Sequence, residues 1–157
     1  MHQISVPPPT VIAVCLSSGG IPKLPQAEAE VAIAGIVGDL HAHAKHNRLD
    51  RAISLLDIEA LVQLAAEGYP LTPGATGENL VVEHLNVQSL PPGTLLRIDG
   101  VVLRLEAPRK PCYVLDAIDP RLKEIIIGRC GYMASVVQPG QLRPGSTIIV
   151  ELPAPER

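Results

Sequence analysis

No Phe and no Trp occurs among the 157 residues, and the only aromatic side chains are Tyr69, Tyr113 and Tyr132. Any core must therefore be assembled from Val, Ile, Leu and Ala, and the first two favour pleated, half-buried strands. Apolar residues make up 46% and charged residues 18%, which marks a globular chain and not a disordered one. Base stacking has almost no aromatic surface to use, which argues against a reader of single-stranded nucleic acid. The net charge of −3 leaves no general field to draw the chain to nucleic acid or an anionic membrane, so any bound anion must be held by local basic clusters. No apolar run approaches the ~20 residues of a membrane span. Met1 to Pro9 lacks the basic-then-apolar order of a secretory signal, and three cysteines do not suggest a disulfide framework. A reduced, cytoplasmic protein is expected, with no nucleic-acid or membrane partner.

Sixteen prolines punctuate the chain, most of them between short apolar runs. Val11 to Leu16 reads as a strand, Pro22 to Glu30 as a loop, Val31 to Val37 as a second strand and Ala52 to Leu56 as a third. Asp57 stands where a helix N-cap belongs, Ile58, Leu61, Val62 and Ala65 follow at helical spacing, and Gly68 supplies a stop. One helix over about 58–67 is expected. Asn79 to Val82 is a further strand. Thr94 to Ile98 and Val101 to Ala107 flank Asp99-Gly100, a strong two-residue hairpin signal. In the second arm Val101, Leu103 and Leu105 share one face, opposite Val102, Arg104 and Glu106. Pro120 to Ile127 suits a short helix; Tyr132 to Val137 and Thr147 to Leu152 close the chain as strands. About eight short strands with regular turns predict one mainly β domain, barrel-like, with its core over about 11–150.

The segment Pro108-Arg109-Lys110-Pro111-Cys112 leaves the clearest strand directly. Its prolines keep Ala107 and Lys110 out of helical geometry, so the thiol is presented at a strand exit beside two cations. Cations favour a thiolate, which is both the nucleophile and the soft-metal ligand. A buried cysteine with basic neighbours in solvent is the plain alternative. Cys130 repeats the theme beside Arg129 but reads as structural, and Cys15 lies inside an apolar strand. His41, His43 and His46 resemble the His-x-His-x-Asp-His signature of metallo-β-lactamase-like hydrolases. Lys45 stands where that signature has its Asp, and solvated loop histidines are the simpler reading. Arg48 and Arg51 follow this run and could bind phosphate. Gly38-Asp39 and Gly77-Glu78-Asn79 set polar side chains beside glycines at strand boundaries, as anion-binding turns or as turns alone.

In order along the chain, Gly38-Asp39, His46, Asp50-Arg51-Ala52, Gly77-Glu78-Asn79-Leu80, Pro108 to Cys112, Gly128-Arg129 and Pro144-Gly145 resemble the landmarks of the MOSC domain, named for the C-terminal domain of molybdenum cofactor sulfurase. His46-Asn47-Arg48 stands where many relatives have His-Gly-Gly, and Gly145-Ser146 where they close on Gly-Asp. The resemblance implies a β-barrel-like fold and a functional Cys112. It also implies either binding of molybdenum cofactor or carriage of sulfur as a Cys112 persulfide for a metal–sulfur centre. A further implied activity is molybdenum-dependent reduction of N-hydroxylated compounds with a partner reductase. On this reading Cys112 is the catalytic thiol or metal ligand, and Arg51, Asn79, Arg109, Lys110 and Arg129 are cofactor contacts. Expected partners are a molybdoenzyme or metal–sulfur cluster acceptor, a cysteine desulfurase or a reductase. No pyridoxal phosphate is expected in this chain. A small-molecule barrel with an inert Cys112 and a His-rich metallohydrolase remain the alternatives.

Overall fold

In the computed structural model, which describes residues 6–40 and 48–155, the apolar runs become strands. They are β1 (Thr10–Leu16), β2 (Leu24–Gln26), β3 (Ala29–Ala32), β4 (Gly35–Ile36), β5 (Ile53–Asp57), β6 (Leu80–Glu83), β7 (Leu95–Ile98), β8 (Val101–Pro108), β9 (Tyr132–Gln138), β10 (Gly140–Leu142) and β11 (Ile148–Glu151). The helices among the described residues are α1 (Ile58–Ala66) and α2 (Leu122–Ile125), and neither is long and apolar enough to cross a membrane. Eight strands form one sheet in the order β11-β7-β8-β9-β5-β6-β1-β2, and β10-β3-β4 form a second. The large sheet curls until the start of β1 meets the chain entering β11. There Val11 N–H donates to the Ser146 carbonyl at 2.9 Å, and Gly145 N–H donates to the Val11 carbonyl at 2.7 Å. The fold is thus mainly β and barrel-like, as the strand count and the resemblance imply.

Alternation sorts side chains between two environments. Ile53 and Leu55 of β5, Leu80 and Val82 of β6, Leu103 and Leu105 of β8 and Tyr132 and Ala134 of β9 pack inside the barrel. Tyr132 is the largest buried side chain, and its hydroxyl donates to the Leu90 carbonyl at 2.9 Å. Strict alternation fails once in β1, where Val11 and Val14 both face inward. The register shifts between Val11 and Ala13, and this bulge turns Ala13 and Cys15 outward against Leu56, Leu61 and Val81 under α1. Cys15 is therefore packing, as its apolar run implies.

The Asp99-Gly100 hairpin pairs Ile98 with Val101 across a two-residue turn, with Asp99 at φ 53°. Three expectations are corrected. Pro22 to Glu30 is not all loop: β2 pairs with β1 at the sheet edge, where Pro25 is tolerated because that side needs no ladder donor. Val31 to Val37 is not one strand; it folds back at Ile33-Ala34, so that Val31 pairs with Ile36. Asp57 occupies the N-cap position of α1 without capping it. Its carboxyl, only 6% exposed, takes the Val87 N–H at 3.1 Å and ties residues 86–87 to β5. The helix itself is where periodicity puts it, but Leu61 and Leu64 form its buried stripe and Val62 is exposed.

Candidate functional site

Ser54 pairs with Met133 across β5 and β9, and Met133 pairs with Ala107 across β9 and β8. These three lie on the outer face of the barrel and floor a cleft of about 530 Å³. Ile21, Lys23, Leu40, Arg48, Asp50, Arg51, Gly77, Asn79 and the whole of Pro108–Cys112 with Val114 wall it in. The expected segment reaches the cleft for a local reason. β8 and β9 slip register between Leu105 and Ala107, Pro108 ends the strand, and Arg109 N–H still donates to the Gly131 carbonyl at 2.9 Å. Pro111 keeps the next step extended. Cys112 follows at φ −137°, ψ 175°, and its carbonyl accepts the Leu115 N–H at 3.1 Å as the chain turns into a short 3-10 helix over Tyr113–Ala117. The thiol is half-buried and free.

One end of the cleft is closed by a polar clamp. Lys23 Nζ lies 2.6 Å from Asp39 Oδ2, the two side chains being 8% and 2% exposed. Asn79 Nδ2 donates to the same Oδ2 at 3.0 Å and to the Cys15 carbonyl at 3.1 Å, while Asn79 Oδ1 accepts the Ser54 N–H at 3.1 Å. Asn79 lines the cleft with both ends of its amide engaged, so its evident work is to hold β1, β5 and Asp39 together. Such a buried ion pair is sustained only because every oxygen has a donor.

The cleft is strongly cationic in a chain that is anionic overall. Among the described residues five cations line it, Lys23, Arg48, Arg51, Arg109 and Lys110, against the single carboxylate Asp50. Lys23 is matched by Asp39 and Arg48 by Asp50 at 2.9 Å. Arg109 Nη2 donates to the Thr76 carbonyl at 2.6 Å, a neutral acceptor. Neither Arg51 nor Lys110 has a side-chain hydrogen bond or ion pair among the described residues. The positive surplus sits beside a free thiol, an arrangement able to hold an anionic ligand and a soft metal together.

Of the residues singled out in the sequence, Arg51, Asn79, Arg109, Lys110 and Cys112 share this cleft. Arg129 does not line it. Its guanidinium spans Glu67, 2.6 Å from Oε1, and the Ile125 carbonyl at 3.0 Å, clamping α1 to the end of α2. This contact holds the Glu67 carboxyl below its usual range. Cys130 is buried with Leu64, Leu115, Leu122 and Ile126, and burial pushes its thiol up. His41, His43 and His46 lie outside the described residues; among the described residues no three His, Cys, Asp or Glu side chains gather as a metal site. Sequence reasoning did not single out Lys23, Ser54 or Met133. Ser54 and Met133 carried a usable signal, since each alternates with core positions, Ile53 and Leu55 in β5 and Tyr132 and Ala134 in β9.

A model of the MOSC domain matches residues 41–149. The chain belongs to the MOSC domain family. Among curated relatives, a protein named "Reductase" from Gibberella moniliformis is 33% identical over 132 residues, 78% of this chain and 24% of that protein. The uncharacterized protein YflK of Bacillus subtilis is 32% identical over 84 residues, 50% of this chain and 38% of that protein. The chain thus spans well under half the length of either. Among solved structures, the MOSC chain superposes on the YuaD protein of Bacillus subtilis with a TM-score of 0.77 at 23% identity, covering 90% of this chain and 95% of that one. YiiM from Geobacillus stearothermophilus gives 0.77 at 23% identity, covering 92% and 75%. These likenesses establish the shared fold.

Proposed function

We propose that this MOSC chain binds molybdenum cofactor in the cleft, with Cys112 ligating the metal and Arg51, Arg109 and Lys110 answering the pterin phosphate. The observation that carries the proposal is the meeting of a free, half-buried thiol with a surplus of cations in one cavity. The donor set suits the group: thiolate is a soft ligand, and guanidinium and ammonium are the usual partners of phosphate. When bound, the cofactor supplies two-electron redox chemistry. Arg109 offers a guanidinium already held by Thr76, whereas Arg51 and Lys110 are free to turn toward an entering anion. Ile21, Leu40, Val114 and Met133 contribute apolar lining to the same cleft.

Electrons would come from a partner. The chain corresponds to only 24% of a relative named "Reductase", consistent with this module working beside an electron-donating unit in a reducing cytoplasm. The second reading uses the same thiol as a sulfur carrier that delivers a persulfide to a metal–sulfur acceptor. Its support is the accessibility of Cys112.

Protein made in cells that synthesise the cofactor separates the two. Stoichiometric molybdenum and pterin, lost in Cys112→Ser and reduced in an Arg51→Ala/Lys110→Ala double variant, is the expected result. Molybdenum retained in full by Cys112→Ser would overturn the proposal. Absence of molybdenum with one added sulfur on Cys112 by intact mass would replace it with the carrier.

A further inference from the structure

Glu78 lies just behind the cleft wall and is completely buried, at 0% exposure. Its Oε1 accepts two hydrogen bonds from Thr76, one from the backbone N–H at 3.1 Å and one from the hydroxyl at 2.8 Å. Its Oε2 has no hydrogen-bond partner among the described residues. A buried carboxyl with one oxygen unmatched is costly, and the two bonds to Thr76 are the contacts that offset that cost.

Arg109 lies on the other side of Thr76. Its Nη2 donates to the Thr76 carbonyl at 2.6 Å, and its Nη1 lies 3.4 Å from the Thr76 hydroxyl oxygen. The hydroxyl has one proton to give. Because that proton goes to Glu78, the oxygen turns lone-pair density toward the guanidinium. Gly77 lets the turn pass directly under Arg109: a Cβ there would lie 3.3 Å from Nη2 and 3.0 Å from Ile21 Cγ2, at φ +93°. Thr76 is thus held by both Glu78 and Arg109, and Arg109 is one of the residues that line the cleft.

We propose that Glu78 is a positioning residue which, acting through Thr76, fixes the Arg109 guanidinium against the turn at the cleft wall and so sets how it meets an anion there. The inference deepens the anion-binding reading and rests on it for its affinity readout. Its second readout, the state of Arg109 itself, does not depend on any ligand.

The test uses the full chain labelled with nitrogen-15, titrated with inorganic phosphate while the Arg109 Nε–Hε signal is followed. In Glu78→Ala and in the near-isosteric Thr76→Val, that signal should move and broaden before phosphate is added. Phosphate affinity should fall roughly tenfold, the scale of one hydrogen bond to a charged group. Glu78→Gln keeps an acceptor toward Thr76 and should stay within about twofold of the parent, far short of one lost charged hydrogen bond. An unchanged Arg109 signal in Thr76→Val overturns the inference, and that variant decides it even if Glu78→Ala does not fold. No saturable shift in the parent protein would instead count against the anion-binding reading, while the Arg109 signal still decides the role of Glu78.

Discussion

Ser54 of β5 sits directly across from Met133 of β9, as register partners on the outer face of the barrel. Their neighbours Ile53, Leu55, Tyr132 and Ala134 point the other way and are all buried in the interior. One pair of strands therefore builds the core with one face and the floor of the cleft with the other. The floor inherits the rigidity of the core, because neither strand can slip by one residue without exchanging the two faces. The segments carrying Arg51, Asn79 and Cys112 then need only be anchored at the floor's edges.

Thiol reactivity should single out Cys112. Cys15 is 0% exposed, and burial with repulsion from the Glu78 carboxylate pushes its thiol up to about 12. Cys130 is 1% exposed and is also pushed up, mainly by burial. Since the thiolate is the reacting form, neither should label in the native protein. Maleimide labelling followed by intact mass should show one adduct on the native chain, none on native Cys112→Ser, and adducts on all three cysteines after unfolding. A native adduct on Cys15 or Cys130 would contradict the packing described.

Asp57 should make stability depend on pH with a definite sign. Burial raises its carboxyl from the ordinary range to about 6 despite the Val87 N–H. The folded state therefore binds this proton more tightly than the unfolded one. The resulting stabilisation is complete below the ordinary aspartate range, about 4, and is lost as pH rises through about 6. Asp57→Asn keeps an acceptor for Val87 but does not titrate. Urea midpoints should shift in favour of Asp57→Asn, relative to the parent, on going from acid to neutral pH. A difference that stays constant would show that Asp57 is not held in this environment.

Gly131 should be intolerant of any side chain. It lies at φ +87°, and a Cβ there would run into the Leu55 carbonyl, 2.9 Å from its carbon and 3.2 Å from Leu56 Cα. The β5–β9 pairing that supports the cleft floor leaves no room. Gly131→Ala should cost about 3 kcal/mol or more in urea unfolding, at or beyond the upper end of the usual cost of core overpacking. Gly100 meets nothing within 4 Å, so Gly100→Ala should stay within about 0.5 kcal/mol of the parent. Equal effects would contradict the close approach at Gly131.

Arg129 and Lys110 should separate stability from binding. Arg129 is spent on Glu67 and the Ile125 carbonyl, whereas Lys110 is unpaired among the described residues and lines the cleft. Arg129→Gln should lower the melting temperature and leave phosphate affinity in place. Lys110→Ala should do the reverse. Weaker phosphate binding in Arg129→Gln, to the extent seen in Lys110→Ala, would contradict this division.

Much of this was legible because local patterns and tertiary structure agree. The Asp99-Gly100 hairpin, the helix after Asp57 and the alternation of β8 follow from neighbouring residues alone. Pro108 to Cys112 was legible as a candidate because two prolines, two cations and a thiol are adjacent in sequence. What was not legible depends on contacts between distant residues. The β1 bulge is set by pairing with β6, β2 forms only because β1 offers an edge, and Lys23 meets Asp39 across an intervening hairpin. Asp57 shows the limit most clearly: its sequence context describes a cap, and only the approach of Val87 gives its carboxyl another partner. Arg129 beside Cys130 looks like Arg109 near Cys112 in one dimension, yet the fold turns it toward Glu67.

The central claim is that Cys112 ligates molybdenum, and X-ray absorption at the molybdenum edge tests it most directly. Protein loaded in cofactor-producing cells should show one more sulfur neighbour around the metal than Cys112→Ser loaded in the same way. Identical sulfur coordination in the two proteins would contradict the account.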